Sequence, residues 1–153
     1  MPHCVFVFGT LKEGFPNFHV NQGVRVPGTF QTTERYPLYL VGKRHSPWLI
    51  HQPGHGEYVR GQVFEVDPAG LAAMDTLERI TAPDGYRRVT VEVSPVDMPG
   101  SASRPAFAYL KQAQHFDPAE ARMGPLAEFT LAHATRYQPR VPGVAPGAGE
   151  SGA

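Results

Sequence analysis

The chain predicts an α+β domain built on a mixed sheet with few helices, and three observations carry that prediction. Cys4–Phe8 is an unbroken apolar run rich in β-branched and aromatic residues, the pattern of a strand buried on both faces. Val89, Val91 and Val93 alternate with Arg88, Thr90 and Glu92, the period of a half-buried strand. Leu71, Met74 and Glu78 recur at i, i+3 and i+7, so they share one side of a helix.

The elements follow in order. The opening strand stops at Gly9, and Gly9–Asn17 reads as a loop. A glycine directly after a buried strand allows a sharp turn that exposes backbone N–H groups, the requirement for holding an anion. Gly9 and Gly14 have phosphate-loop spacing, but Phe15 and Pro16 stand where that motif needs Lys and Ser or Thr. A carboxylate is then the natural smaller anion, and an ordinary strand-to-turn junction is the alternative. Gly23–Thr32 and Tyr36–Val41 are predicted strands separated by a polar turn, and Trp48–His51 is a further short apolar piece. Tyr58–Val66 reads as a strand in which Gly61 marks a bulge or a close backbone approach. The one strong helix runs over Pro68–Glu78, with Asp67 as N-cap and Pro68 in the first helical position. Arg88–Val93 and Ala106–Leu110 are strands flanking a Gly/Ser/Pro turn over Met98–Ser103. Asp117–Arg122 suggests a short capped helix and Pro125–Tyr137 a further one. The prediction is one folded domain over residues 1–140 and a disordered Pro/Gly/Ala-rich tail over 141–153.

Composition narrows the function. The chain has 153 residues, the size of one domain. Fourteen basic residues balance fourteen acidic ones, so neither nucleic acid nor a membrane surface is expected as a partner. No apolar run is long enough to span a bilayer. No protein partner is implied. The single cysteine fits a reducing, cytoplasmic setting.

Glu78 is the most informative candidate. A carboxylate on the apolar side of a helix is expensive to ionise, so its pKa is expected to rise unless a cation sits close by. That is the condition for a general base working near neutrality. The competing reading has the helix fraying at Leu77, with Glu78 in water or paired with Arg79, Arg87 or Arg88. Other chemistries have weaker support. His51 and His55 have metal-ligand spacing for a helix, but Pro53 and Gly54 lie between them, so no metal site is expected there. His45, His51 and His55 fit a loop near a substrate better. Cys4 fits packing better than nucleophilic catalysis. Ser46, Ser101 and Ser103 have no nucleophile elbow around them.

An ordered set of motifs resembles the γ-glutamylcyclotransferase-like superfamily, most nearly its γ-glutamylamine cyclotransferase (AIG2-like) branch. Val5-Phe6-Val7-Phe8-Gly9-Thr10-Leu11-Lys12 is similar to the family's opening strand and Tyr-Gly-Thr-Leu loop, and Gly14-Phe15-Pro16-Asn17 to the Gly-x-Pro-Asn that follows. Tyr36-Pro37-Leu38, Pro47-Trp48-Leu49-Ile50-His51 and Gly61–Asp67 resemble later signatures. Leu71, Asp75 and Glu78 resemble the helix that delivers the family's catalytic Glu, and Tyr86-Arg87-Arg88 and Arg136-Tyr137-Gln138-Pro139-Arg140 its last elements. The resemblance implies a sheet curled into a small β-barrel and a cofactor-free, metal-free enzyme. Its small-molecule substrate is a γ-glutamyl amine, closed to 5-oxoproline with release of the amine. Glu78 becomes the general acid/base. Phe8, Gly9, Thr10 and Leu11 form the substrate loop. Trp48, Tyr86 and Tyr137 are walls of the pocket or simple packing. Two departures bear on substrate identity. Phe8 stands where the family usually has Tyr, and the stretch from Glu78 to Tyr86 is about two residues longer. A cyclotransferase for another γ-glutamyl peptide or biosynthetic intermediate, or a non-catalytic small-molecule binding module, remains as the alternative.

Overall fold

The computed structural model describes residues 3–98 and 102–139, so the predicted tail and residues 99–101 of the 98–103 turn lie outside the described residues. Eight strands and two α-helices, with three short 3₁₀ turns, make up the described residues. Strand β1 (His3–Val7) is followed by β2 (Val24–Tyr36), β3 (Leu38–Val41), β4 (Ser46–Leu49) and β5 (Glu57–Val66). Helix α1 (Pro68–Leu77) comes next, then β6 (Arg87–Pro95), β7 (Arg104–Leu110), β8 (Ala121–Met123) and α2 (Leu131–Ala134).

The sheet closes into a barrel in the order β1-β5-β2-β6-β7, as the motif resemblance implies. β1 pairs antiparallel with β5 from His3↔Val66 to Val7↔Gln62, and closure is the parallel contact of β1 with β7 at Val5↔Phe107. Val5, Phe6, Val7 and Phe8 are wholly buried, which explains the unbroken apolar run. Removing each such side chain from water contributes roughly 1.5–3 kcal/mol. Cys4 is only half-buried, so the run's first residue lies at the margin of the core. Gly61 marks a close approach, since a Cβ there would lie 2.3 Å from the Val7 carbonyl oxygen, and it flanks an irregularity in the β2/β5 register between Val26 and Phe30.

Three features differ from the sequence-based expectation. The polar stretch Thr33–Arg35 is no turn. It continues β2 through an irregularity in the β2/β5 register between Gln31 and Arg35, and the break comes at Pro37. A second sheet, β4-β3-β8, stands apart from the barrel. It is joined to the barrel at the end of β7, where Lys111 N–H donates to Leu49 O and His51 N–H donates to Lys111 O, both at 2.8 Å. The C-terminal helices shrink: Asp117 caps a single 3₁₀ turn over Pro118–Glu120, and Pro125–Tyr137 holds only the four-residue α2.

Helix α1 forms as its sequence demands. Asp67 Oδ1 accepts from Gly70 N–H at 2.7 Å, and Pro68 starts the first turn. Leu71 and Met74 face the core, and Glu78 caps the last turn.

Candidate active site

Strand register gathers one rim of the barrel. Val5 pairs with Phe107, so two residues on Val7 is level with Tyr109. Tyr109 pairs with Arg88 and Leu110 with Arg87, which brings the start of β6 to the same level. The loop after β1, the entry to β6 at Tyr86 and the end of β7 at Lys111 therefore share one end of the barrel. α1 reaches this end through Asp75: Tyr109 Oη donates to Asp75 Oδ1 at 2.7 Å, and Arg88 bridges to Asp75 Oδ2 at 2.5 Å.

Glu78 is 1% exposed, so its side chain does not turn out to water. Its backbone is held on both sides: Glu78 N–H donates to Met74 O at 2.9 Å, and Glu78 O accepts from Tyr86 N–H at 3.1 Å. The neighbouring arginines make further contacts. Arg79 bridges to Asp84 at 3.3 Å, Arg87 donates to the Ile80 and Ala82 carbonyls, and Arg88 holds Asp75. The Tyr109 phenol is pushed up in pKa by burial first, then by its bond to Asp75 and by the charges of Asp75 and Glu78; Arg88 opposes. Tyr109 thus stays a neutral donor within the electrostatic reach of Glu78.

The Gly9–Asn17 loop turns its carbonyls onto itself. Gly9 O accepts from Lys12 N–H at 3.2 Å, Thr10 O from Asn17 N–H at 2.9 Å, and Leu11 O from Asn21 Nδ2 at 3.0 Å. In a trans peptide the C=O and the following N–H point in opposite directions. These carbonyl bonds therefore fix the orientation of the Thr10 and Leu11 peptides. Asn17 Nδ2 ties Thr10 Oγ1 (2.9 Å) to Tyr137 Oη (3.2 Å), which brings the C-terminal segment against the loop. Lys12 does the same with its ammonium, which donates to Phe129 O and lies 4.2 Å from the Phe15 ring centre. Burial lowers the Lys12 pKa to about 8, with Glu128 opposing and Arg25 assisting.

A third cluster holds the remaining aromatic residues. Trp48 and Tyr86 meet edge to face at 6.5 Å, and Tyr86 Oη donates to Pro47 O at 3.3 Å. The Lys111 ammonium lies 4.4 Å from the Trp48 ring centre and 4.5 Å from that of Tyr86.

Among the expected site residues, Gly9, Thr10 and Leu11 share one buried loop that reaches Tyr137, while Trp48 and Tyr86 pack together beside the loop that follows Glu78. Phe8 is wholly buried at the loop's entrance. Of the histidines, His51 and His55 are exposed in an irregular segment. Ser46 is buried at the start of β4 rather than in a loop, and Ser103 is exposed and bonded to Glu92. Sequence reasoning missed Asn17, Lys12, Lys111 and Tyr109. Lys12 and Asn17 lay inside quoted motifs, whereas nothing in the local pattern marked Lys111, a lysine just past a strand end. Among the described residues no three His, Cys, Asp or Glu side chains converge as a metal site would need.

Comparison with known proteins agrees with this geometry. Residues 5–129 match the family model described as gamma-glutamyl cyclotransferase, AIG2-like. The chain is 34% identical over 157 residues to human gamma-glutamylaminecyclotransferase, covering 89% of this chain and 96% of that protein. It is 33% identical over 121 residues to the zebrafish (Danio rerio) gamma-glutamylaminecyclotransferase C, covering 76% and 78%. The crystal structure of a mouse AIG2-like protein superposes with a TM-score of 0.76 at 29% identity, over 91% of this chain and 97% of that one. A barrel whose rim joins a buried helix-end glutamate to the loop after β1, matched along most of its length, makes this chain a member of the AIG2-like gamma-glutamyl cyclotransferase family of enzymes.

Proposed function

We propose that this enzyme cyclises γ-glutamyl amines, releasing 5-oxoproline and the free amine, with Glu78 as the single acid/base. The observation that carries the reading is Glu78 itself, a carboxyl 1% exposed at the end of α1, at the barrel rim that also bears the Gly9 loop. The substrate's α-ammonium gives a proton to Glu78. The freed amine attacks the γ-carbonyl and closes a five-membered lactam. The bond from carbonyl carbon to leaving nitrogen breaks as Glu78 passes its proton to that nitrogen; the carboxylate so regenerated takes the second proton from the ring nitrogen, and that proton leaves on the released amine as its ammonium. Electrons and protons balance with no water, metal or covalent enzyme intermediate. The Thr10 and Leu11 N–H groups suit the α-carboxylate, and holding the substrate folded supplies much of the remaining acceleration. Trp48, Tyr86 and Tyr137 frame the space around it. No cofactor is needed, and a small-molecule substrate with a cytoplasmic setting fits the neutral composition. Among the described residues no helix is long and apolar enough to cross a membrane.

One observation favours a variant substrate within the same chemistry. Phe8, wholly buried, brings no hydroxyl to the loop entrance, so the bound group there is apolar or differently placed.

The product test is direct. Incubated with γ-glutamyl-ε-lysine and a panel of other γ-glutamyl amines and peptides, the protein should release 5-oxoproline and amine in equal amounts. Substrates with an acetylated α-amine should be inert, because the nucleophile is gone. Glutamate as the main product would mean hydrolysis and would overturn the mechanism. Silence across the panel with folded protein would favour a binding module.

A further inference from the structure

Glu78 opens a tight loop that Tyr86 closes. Tyr86 N–H donates to Glu78 O at 3.1 Å, so residues 79–85 return to the peptide they left. Inside the loop Ala82 N–H donates to Arg79 O at 2.9 Å and Gly85 N–H to Ala82 O at 3.1 Å. Arg79 sits at a φ of 53°, and a Cβ on Gly85 would lie 1.8 Å from Arg79 O. The loop is compact enough that fixing one of its carbonyls fixes the rest.

Lys111 fixes one. Its side chain is 1% exposed, and its Nζ donates to Asp84 O at 2.5 Å. The ammonium also faces both the Trp48 and Tyr86 rings. Its own backbone is anchored on both sides by Leu49 and His51. An ammonium costs several kcal/mol to desolvate, and an unbranched apolar side chain of similar length would fill the same space without that cost. The Asp84 carbonyl and the two ring faces are among the groups that offset it. What the charge adds over a methionine is direction: it holds the Asp84 carbonyl and the Tyr86 ring in a set relation to the barrel.

We propose that Lys111 is a positioning residue for Glu78, acting through the 79–86 loop. The inference rests on the reading of Glu78 as the proton carrier. The side-chain contacts tie Lys111 to the loop that closes on Glu78, through Asp84 O and the Tyr86 ring, so its effect belongs chiefly on turnover.

The test uses Lys111→Met, Lys111→Gln and Lys111→Arg beside Glu78→Gln. Lys111→Met should lower kcat about 10–100-fold, the scale of a small misplacement of a catalytic group, with KM nearly unchanged. Lys111→Arg keeps the cation over the rings and a donor for Asp84 O, and should recover most of the loss. The chain's single tryptophan is Trp48, so its fluorescence should change in Lys111→Met and return towards wild type in Lys111→Arg. Hydrogen exchange at the Tyr86 amide should quicken in Lys111→Met. Wild-type kcat and wild-type exchange in folded Lys111→Met would sink the proposal. So would Met and Arg variants equally impaired, or Met and Gln variants that both fail to fold, since either assigns Lys111 to stability alone. If Glu78→Gln stays active, the reading of Glu78 fails instead. Inactive Glu78→Gln with fully active Lys111→Met removes Lys111 and leaves Glu78 in place.

Discussion

Glu78→Gln isolates the acid/base role because the amide keeps the shape of the carboxyl and cannot accept the ammonium proton. Turnover should fall at least ~100-fold with the circular dichroism spectrum unchanged. A variant within tenfold of wild-type kcat would end this residue's candidacy. Lys12 offers a test in stability. Its pKa is depressed to about 8 in the fold from an ordinary 10.5, chiefly by burial. Between those values the unfolded chain binds more protons than the folded one, so stability rises with pH in that window. Below about pH 8 the full cost of burying the ammonium remains. Denaturant titrations from pH 7 to 10.5 should show wild type gaining on Lys12→Met across the window. Parallel curves would place the ammonium in water. Both residues illustrate what a sequence reveals. Glu78 was legible because it interrupts an apolar stripe at helical spacing. Lys12 was not, since its acceptor, the Phe129 carbonyl, lies 117 residues away.

At the scale of elements, β1 was legible from its unbroken apolar run, β5 and β7 as apolar stretches between turn residues, and α1 and β6 from period, because each of those two presents one face to the core. β2 was misread because Thr33–Arg35 is polar, yet it is held in the ladder by Arg35↔Tyr58 and by Val59 N–H donating to Thr32 Oγ1 at 3.0 Å. Tertiary pairing overrode local polarity there. The four-residue α2 was overestimated because its segment is held by single side chains, Phe129 and Tyr137, rather than by a helical stripe. Gly61 tests the crossing of β5 and β1. Gly61→Ala should destabilise the fold by about 1–3 kcal/mol, since the added Cβ meets the backbone of Val7 at 2.3 Å, where no side chain can rotate aside. Unchanged thermal stability would show that the two strands can separate at no cost.

At the scale of the molecule, the barrel was implied by motif order, while the second sheet was not, because β3, β4 and β8 are short and their pairing joins residues 40 and 123. The same long reach defines the site. Ending the chain after Glu128 should cost about 3 kcal/mol or more, since buried Phe129 and Tyr137 leave and the Lys12 ammonium loses its carbonyl. Binding should weaken with it, which a KM series on the truncated protein would show. A silent truncation would mean that the Gly9 loop holds its shape unaided. The parallel closure of β1 on β7 has a further consequence during synthesis. β1 is made before β7, so it waits for Phe107 before its second edge is covered, and its loop waits longer still for Phe129 and Tyr137. The nascent chain therefore carries an open, largely apolar edge until Phe107 is made, and the Gly9 loop gains its distant partners only when Phe129 and Tyr137 follow.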